Sequence, residues 1–284
     1  MRRSLSCALK KSVCSPLFAA AAAAYLILLL STNGTVGDQK GSPSLSLFQM
    51  LMQPDNPRWL TVDEYTWYRI WDRVIHGYSH MMLVTALTAV PAVVPFCDEL
   101  STGSWRFSVP RIGRRKWAAA HWLNAVICAL AAVLLALAAA ALLCAAVFPS
   151  DGAPFTERYF AACTSFGGVM RFLLANCAYL LLLIPPAAAC TLTGSAVLQN
   201  AYSAICLPLV VQFLCKQLAW RKYREDAANI RLLLLDTDTL ARPEYMIPAM
   251  HTVSPAVLLP AAYLVCLAGS WLLFSRITER RLRQ

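Results

Sequence analysis

Long apolar runs, broken by short charged stretches, set the pattern of this chain. Five runs lack Asp, Glu, Lys and Arg: Ser12–Gly37 (26 residues), Val74–Cys97 (24), Trp117–Ser150 (34), Phe172–Cys215 (44) and Tyr245–Ser275 (31). The next longest, Gly41–Pro54, has 14. A helix needs about 20 such residues to cross about 30 Å of hydrocarbon. Four runs therefore hold one span each. The 44-residue run holds two, with a turn among Thr191, Thr193, Gly194, Ser195, Gln199, Asn200 and Ser203. The pattern predicts six spans, near residues 13–31, 80–97, 118–147, 172–190, 203–219 and 254–275. Outer loops then cover 32–79, 148–171 and 220–253, and an inner elbow covers 98–117. The runs are too long and too rich in Ala and Leu for a β-barrel, which alternates polarity over segments of about ten residues. Backbone groups in lipid must pair internally, so the expected fold is all-α: one polytopic transmembrane domain over residues 1–284.

Composition agrees. Hydrophobic residues make up 58% of the 284 and charged residues 14%, against about 45–50% and about 25% in soluble domains. A soluble enzyme, a secreted disulfide scaffold and a disordered tail are excluded. The net charge of +10 would suggest nucleic acid in a soluble protein, but its location gives another meaning. With the N-terminus inside, the inner segments hold Arg2, Arg3, Lys10 and Lys11, then Arg106, Arg111, Arg114, Arg115 and Lys116, then Arg276, Arg280, Arg281 and Arg283. Only Asp98, Glu99 and Glu279 oppose them. The whole excess falls on one side, as the positive-inside rule requires, and an even span count leaves both termini cytoplasmic. Nucleic acid is not expected as a partner; anionic headgroups or a cytoplasmic protein are. The first run reads as an uncleaved signal anchor, because no clean small-x-small site follows Leu30.

Nine of the 11 cysteines lie in or at the ends of spans, and no CxxC occurs. They are expected to pack as small apolar residues. Cys163 is the one expected in an outer loop. The histidines, His76, His80, His121 and His251, are scattered without metal-ligand spacing. No metal is expected. Asn33-Gly34-Thr35 matches a glycosylation sequon, a short motif that also arises by chance.

The first outer loop ends in a predicted helix. Thr61 and Glu64 fit a capping box. Trp67, Ile70, Trp71, Val74, Ile75 and Tyr78 share one face, with Arg69, Asp72, Arg73 and His76 on the other. Such a helix lies in the headgroup plane, either as an aromatic anchor or as a lid for an amphiphile. At the other end of the chain, Met1, Leu5, Leu9 and Val13 recur every four residues among basic neighbours, which suits a short interfacial helix. The last outer segment, Trp220–His251, carries apolar patches at Ile230–Leu235 and Tyr245–Met250.

The elbow holds the most chemistry. Asp98 and Glu99 end an apolar span, Gly103 breaks the helix, and Pro110 and Gly113 reshape the backbone before Arg114-Arg115-Lys116. A purely topogenic loop is one explanation. The stretch also resembles the loop after the second span in permease subunits of type-2 ATP-binding-cassette (ABC) exporters. That family tends to show a Glu at the end of span two, a Gly with a small residue, a Pro, a nearby Arg and a basic lead into span three. Glu99, Gly103-Ser104, Pro110 and Arg114 fill those positions. The Gly-to-Pro gap is about two residues shorter than the common pattern, the Pro-to-Arg step one longer, and the usual Lys of span three falls near His121.

The resemblance implies that the elbow docks on a separate ATPase subunit and that a second permease copy, homologous or identical, completes the path. It also implies that the N-terminal helix touches the ATPase and that the segment before Ser254-Pro255 closes the outer end. ATP would be bound by the partner, since no GxxxxGK[ST] loop occurs here. The permease is then no enzyme itself. The expected spans contain no mid-span Asp or Glu, so an ion-coupled carrier lacks its usual residues, and an apolar path suits a peptide, drug or lipid. Two other classes stand beside this one. A non-transporting membrane scaffold or immunity protein needs no ATPase. An intramembrane hydrolase would need Ser195 and His251 to meet, yet the expected topology puts them at opposite faces.

Overall fold

The computed structural model describes residues 2–32, 45–52, 67–75, 78–148, 183–223 and 255–281. These residues are helical and contain no strand. In chain order the helices are α1 (Arg2–Val13), α2 (Pro16–Ser31), α3 (Leu47–Met52), α4 (Trp67–Ile75), α5 (Tyr78–Ser101), α6 (Trp105–Ile112) and α7 (Arg114–Val147), then α8 (Leu183–Leu198), α9 (Ala201–Tyr223) and α10 (Pro255–Arg281). Among the described residues, α7 and the Leu83–Ser101 part of α5 are long and apolar enough to cross a membrane. The Leu5–Val13 part of α1 and α2 make a third candidate together, bent by 58° between them. Leu183–Leu198 and Ala201–Val211 are shorter apolar helices.

The bend between α1 and α2 is written locally. Ser15 caps α2 by accepting from the Phe18 amide at 3.3 Å, and Pro16 occupies the first helical position, where its missing N–H costs nothing. Ser46 and Gln49 form a reciprocal capping box at the start of α3, with bonds of 3.0 and 3.3 Å.

Helix α7 is the axis of the bundle. At about 1.5 Å per residue its 34 residues reach about 51 Å, well beyond the hydrocarbon thickness. Its buried side carries Ala118, Ala125, Ala129, Ala132, Ala136 and Ala140, recurring every three, four or seven residues. Such a small-residue stripe lets neighbouring backbones approach closely. One apolar core gathers around its later half, with Tyr25 and Leu29 of α2, Ile70, Trp71, Val74 and Ile75 of α4, and Ile184 of α8. A second core surrounds its start, with Val93 and Phe96 of α5, Val109 of α6, Leu192 of α8, Ala204 of α9 and Phe274 of α10. The outward surface stays apolar: Leu134, Leu135 and Leu142 of α7, Val210 and Phe213 of α9, and Leu264, Val265 and Leu272 of α10 are exposed. Exposed apolar residues on three helices mark a surface made for a non-aqueous neighbour.

Several expected boundaries shift. Helix α5 continues through Asp98 and Glu99 to Ser101 instead of ending at residue 97. The polar residues after 190 do not end α8. The Thr191 and Thr193 hydroxyls donate to the Ala187 and Ala189 carbonyls at 2.8 Å, which satisfies them inside the helix. The turn is confined to Gln199, at φ 56°, and Asn200, whose side chain accepts from the Tyr202 amide. Gly194 faces α9 so closely that a Cβ there would lie 2.8 Å from Leu207 Cδ2. On α1 the buried residue is Ser12, and Val13 of the four-residue ladder is 40% exposed. The predicted α4 face does pack inward, through Ile70, Trp71, Val74 and Ile75. The Thr61/Glu64 cap, the sequon at Asn33, Cys163, His251, the first part of the fourth expected span and the outer loops 148–171 and 220–253 lie outside the described residues.

Candidate functional site

The elbow is a short helix held between two long ones. The end of α5 is closed by its own hydroxyls. Thr102 Oγ1 and Ser101 Oγ donate to the Asp98 carbonyl at 2.7 and 3.1 Å, and the Thr102 amide adds a third bond at 3.0 Å. Gly103 takes φ 70°, a backbone form that side chains with a Cβ resist, and turns the chain. Helix α6 follows for eight residues, with Val109 facing the core and Arg106, Phe107, Pro110 and Arg111 exposed. Pro110 is therefore part of a helix, not the kink in a loop that the sequence suggests. Gly113, at φ 88°, precedes α7 and closes α6, its amide donating to the Val109 carbonyl at 2.8 Å. Positive-φ glycines thus bound α6 at both ends.

Glu99 ties the end of α5 to the start of α7. Trp117 and His121 lie four residues apart on α7, so they share a face. Trp117 Nε1 donates to Glu99 Oε1 at 3.1 Å, and His121 Nε2 lies 3.3 Å from Glu99 Oε2. The Glu99 and His121 side chains are 12% and 13% exposed. A carboxylate this well buried requires such partners. Phe96, one turn before Glu99, packs its ring 5.8 Å from that of Trp117 and 5.3 Å from that of His121. A second polar tie lies deeper along α7: Asn124 Nδ2 donates to Ser12 Oγ at 2.8 Å, and Cys128 Sγ donates to Asn124 Oδ1 at 3.4 Å. Helix α1 is thereby pinned to α7.

The charges at the start of α7 oppose helix stability. Arg114, Arg115 and Lys116 occupy its first turn, where the helix dipole favours anions by about 0.3–1 kcal/mol per charge. Arg115 Nε pairs with Glu279 of α10 at 3.1 Å, but the Arg115 side chain is 87% exposed. Exposed pairs of this kind contribute little. The cluster therefore gains the helix little stability.

The four residues singled out in the sequence thus have distinct places. Glu99 is buried in the clasp, Gly103 makes the turn, and Pro110 and Arg114 face outward on either side of Gly113. Trp117, His121, Asn124 and Ser12 complete the site, and sequence reasoning did not assign them to it. The spacing of Trp117 and His121 was the available signal. Ser195 is buried on α8, and its hydroxyl donates to the Leu192 carbonyl at 2.6 Å. Among the described residues, eight cysteines are free thiols and no group of three His, Cys, Asp or Glu side chains is arranged to hold a metal ion. No family model matches the chain, and no curated protein matches it.

Proposed function

We propose that this chain is the membrane-spanning permease subunit of a type-2 ABC exporter. In this reading six helices cross the cell membrane, both termini are cytoplasmic, and α6 docks on a separate ATPase subunit. A second permease copy, identical or homologous, completes the path. The observation that carries the reading is the construction of α6. It is an eight-residue helix between two long apolar helices, bounded by positive-φ glycines, and Glu99 joins those two long helices beside it. A lever needs such a form: a separate element set off by turns and joined at both ends to the rods it moves.

ATP-driven closure of the partner would push α6. The Glu99 clasp would pass that displacement to α5 and α7, and the Ser12–Asn124 bond would carry α1 with them. The bundle would then shift between inward- and outward-open states, with the energy supplied by the partner. The largely apolar spans suit an amphiphilic peptide, drug or lipid as cargo.

The test is retention of an ATPase carrying the phosphate-loop motif on the affinity-purified chain, followed by transport in vesicles. Glu99→Ala and Gly103→Trp should leave insertion intact and ATP hydrolysis active while transport falls. Coupled transport unchanged in both variants would refute the lever. Failure to retain any such ATPase would instead favour the scaffold or immunity class.

A further inference from the structure

Beside the clasp, α1, α5, α6 and α7 enclose a partly open cavity of about 410 Å³. Its size falls within the range of small-ligand sites, about 300–1,000 Å³. Apolar side chains, among them Pro95 and Phe96, form most of its wall. Two charges of opposite sign line it: Lys11 and Glu99. Lys11 is exposed and acts on Glu99 through space, without a direct ion pair among the described residues. Glu99 is nearly buried, and each of its oxygens meets one donor. A carboxylate offers about four lone-pair positions, so acceptor capacity remains.

These features select a ligand class. The carboxylate discriminates against a simple anion, and the lysine against a simple cation. A zwitterion with an N–H-bearing ammonium and a phosphate satisfies both. The apolar wall adds room for a hydrocarbon chain. We propose that this cavity binds a phospholipid whose headgroup carries a primary ammonium, the ammonium at Glu99 and the phosphate at Lys11. This site is independent of the transport reading, because binding requires no ATPase.

The test uses the full chain in a non-ionic detergent, titrated by native mass spectrometry with three short-chain lipids. Phosphatidylethanolamine carries both groups, phosphatidylcholine lacks the N–H donors, and phosphatidylglycerol lacks the cation. Phosphatidylethanolamine should bind about tenfold tighter than either, the ratio expected when one charge-assisted bond is lost. Glu99→Gln should cut that advantage to about threefold or less, and Lys11→Ala should weaken all three lipids, since each carries the phosphate. Should Glu99→Gln fold poorly, Cys7→Trp, placed at an exposed lining position, should block the site, and Phe107→Ala on α6 should change nothing. Equal binding of the three lipids to the native chain would overturn the proposal. So would an ethanolamine preference that survives Cys7→Trp, or free phosphoethanolamine binding as tightly as the lipid.

Discussion

Replacing Glu99 by alanine removes the carboxylate on which Trp117 and His121 converge. The donor distances are 3.1 and 3.3 Å, and only 12–13% of the Glu99 and His121 side chains meets solvent. Water therefore replaces the lost acceptor poorly. A hydrogen bond to a charged group contributes about 1.5–3 kcal/mol, and an orphaned buried donor costs about 1–3 kcal/mol. The carboxylate also sits in the last turn of α5, where the helix dipole disfavours it by about 0.3–1 kcal/mol, and alanine relieves that strain. The net expectation is a loss of about 2–4 kcal/mol. Glu99→Gln keeps an acceptor for Trp117 and should lose about half as much. Denaturant unfolding of the purified chain in detergent, run as a double-mutant cycle with Trp117→Phe, isolates the pair. Phenylalanine keeps a ring beside Phe96 and removes only the indole N–H and the larger outline. A coupling energy of about 1–2 kcal/mol is expected. Strict additivity, within about 0.5 kcal/mol, would show that the clasp carries no energy and that Glu99 cannot act as the root of a lever.

Other substitutions probe the frame around that clasp. Gly194→Ala would place a Cβ 2.8 Å from Leu207 Cδ2 and should cost about 1–3 kcal/mol, with much of the loss recovered by adding Leu207→Ala; thermal unfolding of the single and double variants reads both. Gly103→Ala should cost about 1–2 kcal/mol because its φ is 70°, whereas Gly103→Asn should cost less, since asparagine tolerates that region; the order of the two melting temperatures decides. Arg115→Ala should change stability by less than about 1 kcal/mol, because its partner contact is exposed, yet should reduce retention of the ATPase if the basic turn is a docking surface.

The fold was legible where one physical rule acted alone. Length and apolarity found α5, α7 and the apolar part of α2, though the expected span near 13–31 missed the 58° bend that joins α2 to α1, and helical periodicity found the inward face of α4. Helix ends were less legible because hydroxyls work both ways. Thr191 and Thr193 look like turn formers in the sequence, but in α8 they bond back to carbonyls four residues earlier and let the helix run on. Pro110 misled for a related reason: an eight-residue helix with few internal bonds tolerates a proline that a longer one would not. The capping box at Ser46 and Gln49 is legible as a Ser-x-x-Gln motif, but it lies in a stretch whose hydropathy alone marks a loop.

The candidate site was half legible. Glu99 and Gly103 stood out because a charge and a helix breaker follow an apolar run. Their partners did not, because tertiary contacts leave no spacing signal. Trp117 is 18 residues from Glu99, and Ser12 is 112 residues from Asn124. His121 read as one of four scattered histidines until α5 and α7 were laid side by side. The cavity beside it was invisible for the same reason: four helices build it, and none of them is unusual alone.

The account rests most directly on which side of the membrane α6 occupies. Impermeant maleimide labelling of intact cells measures it, using a chain whose 11 native cysteines are replaced. One probe is Phe107→Cys, at a position 77% exposed on α6; the other is Asp151→Cys, in the expected outer loop. The account predicts that the probe at 151 reacts in intact cells and that the probe at 107 reacts only after the membrane is opened. Labelling at position 107 from outside would place the basic elbow on the wrong face and contradict the account.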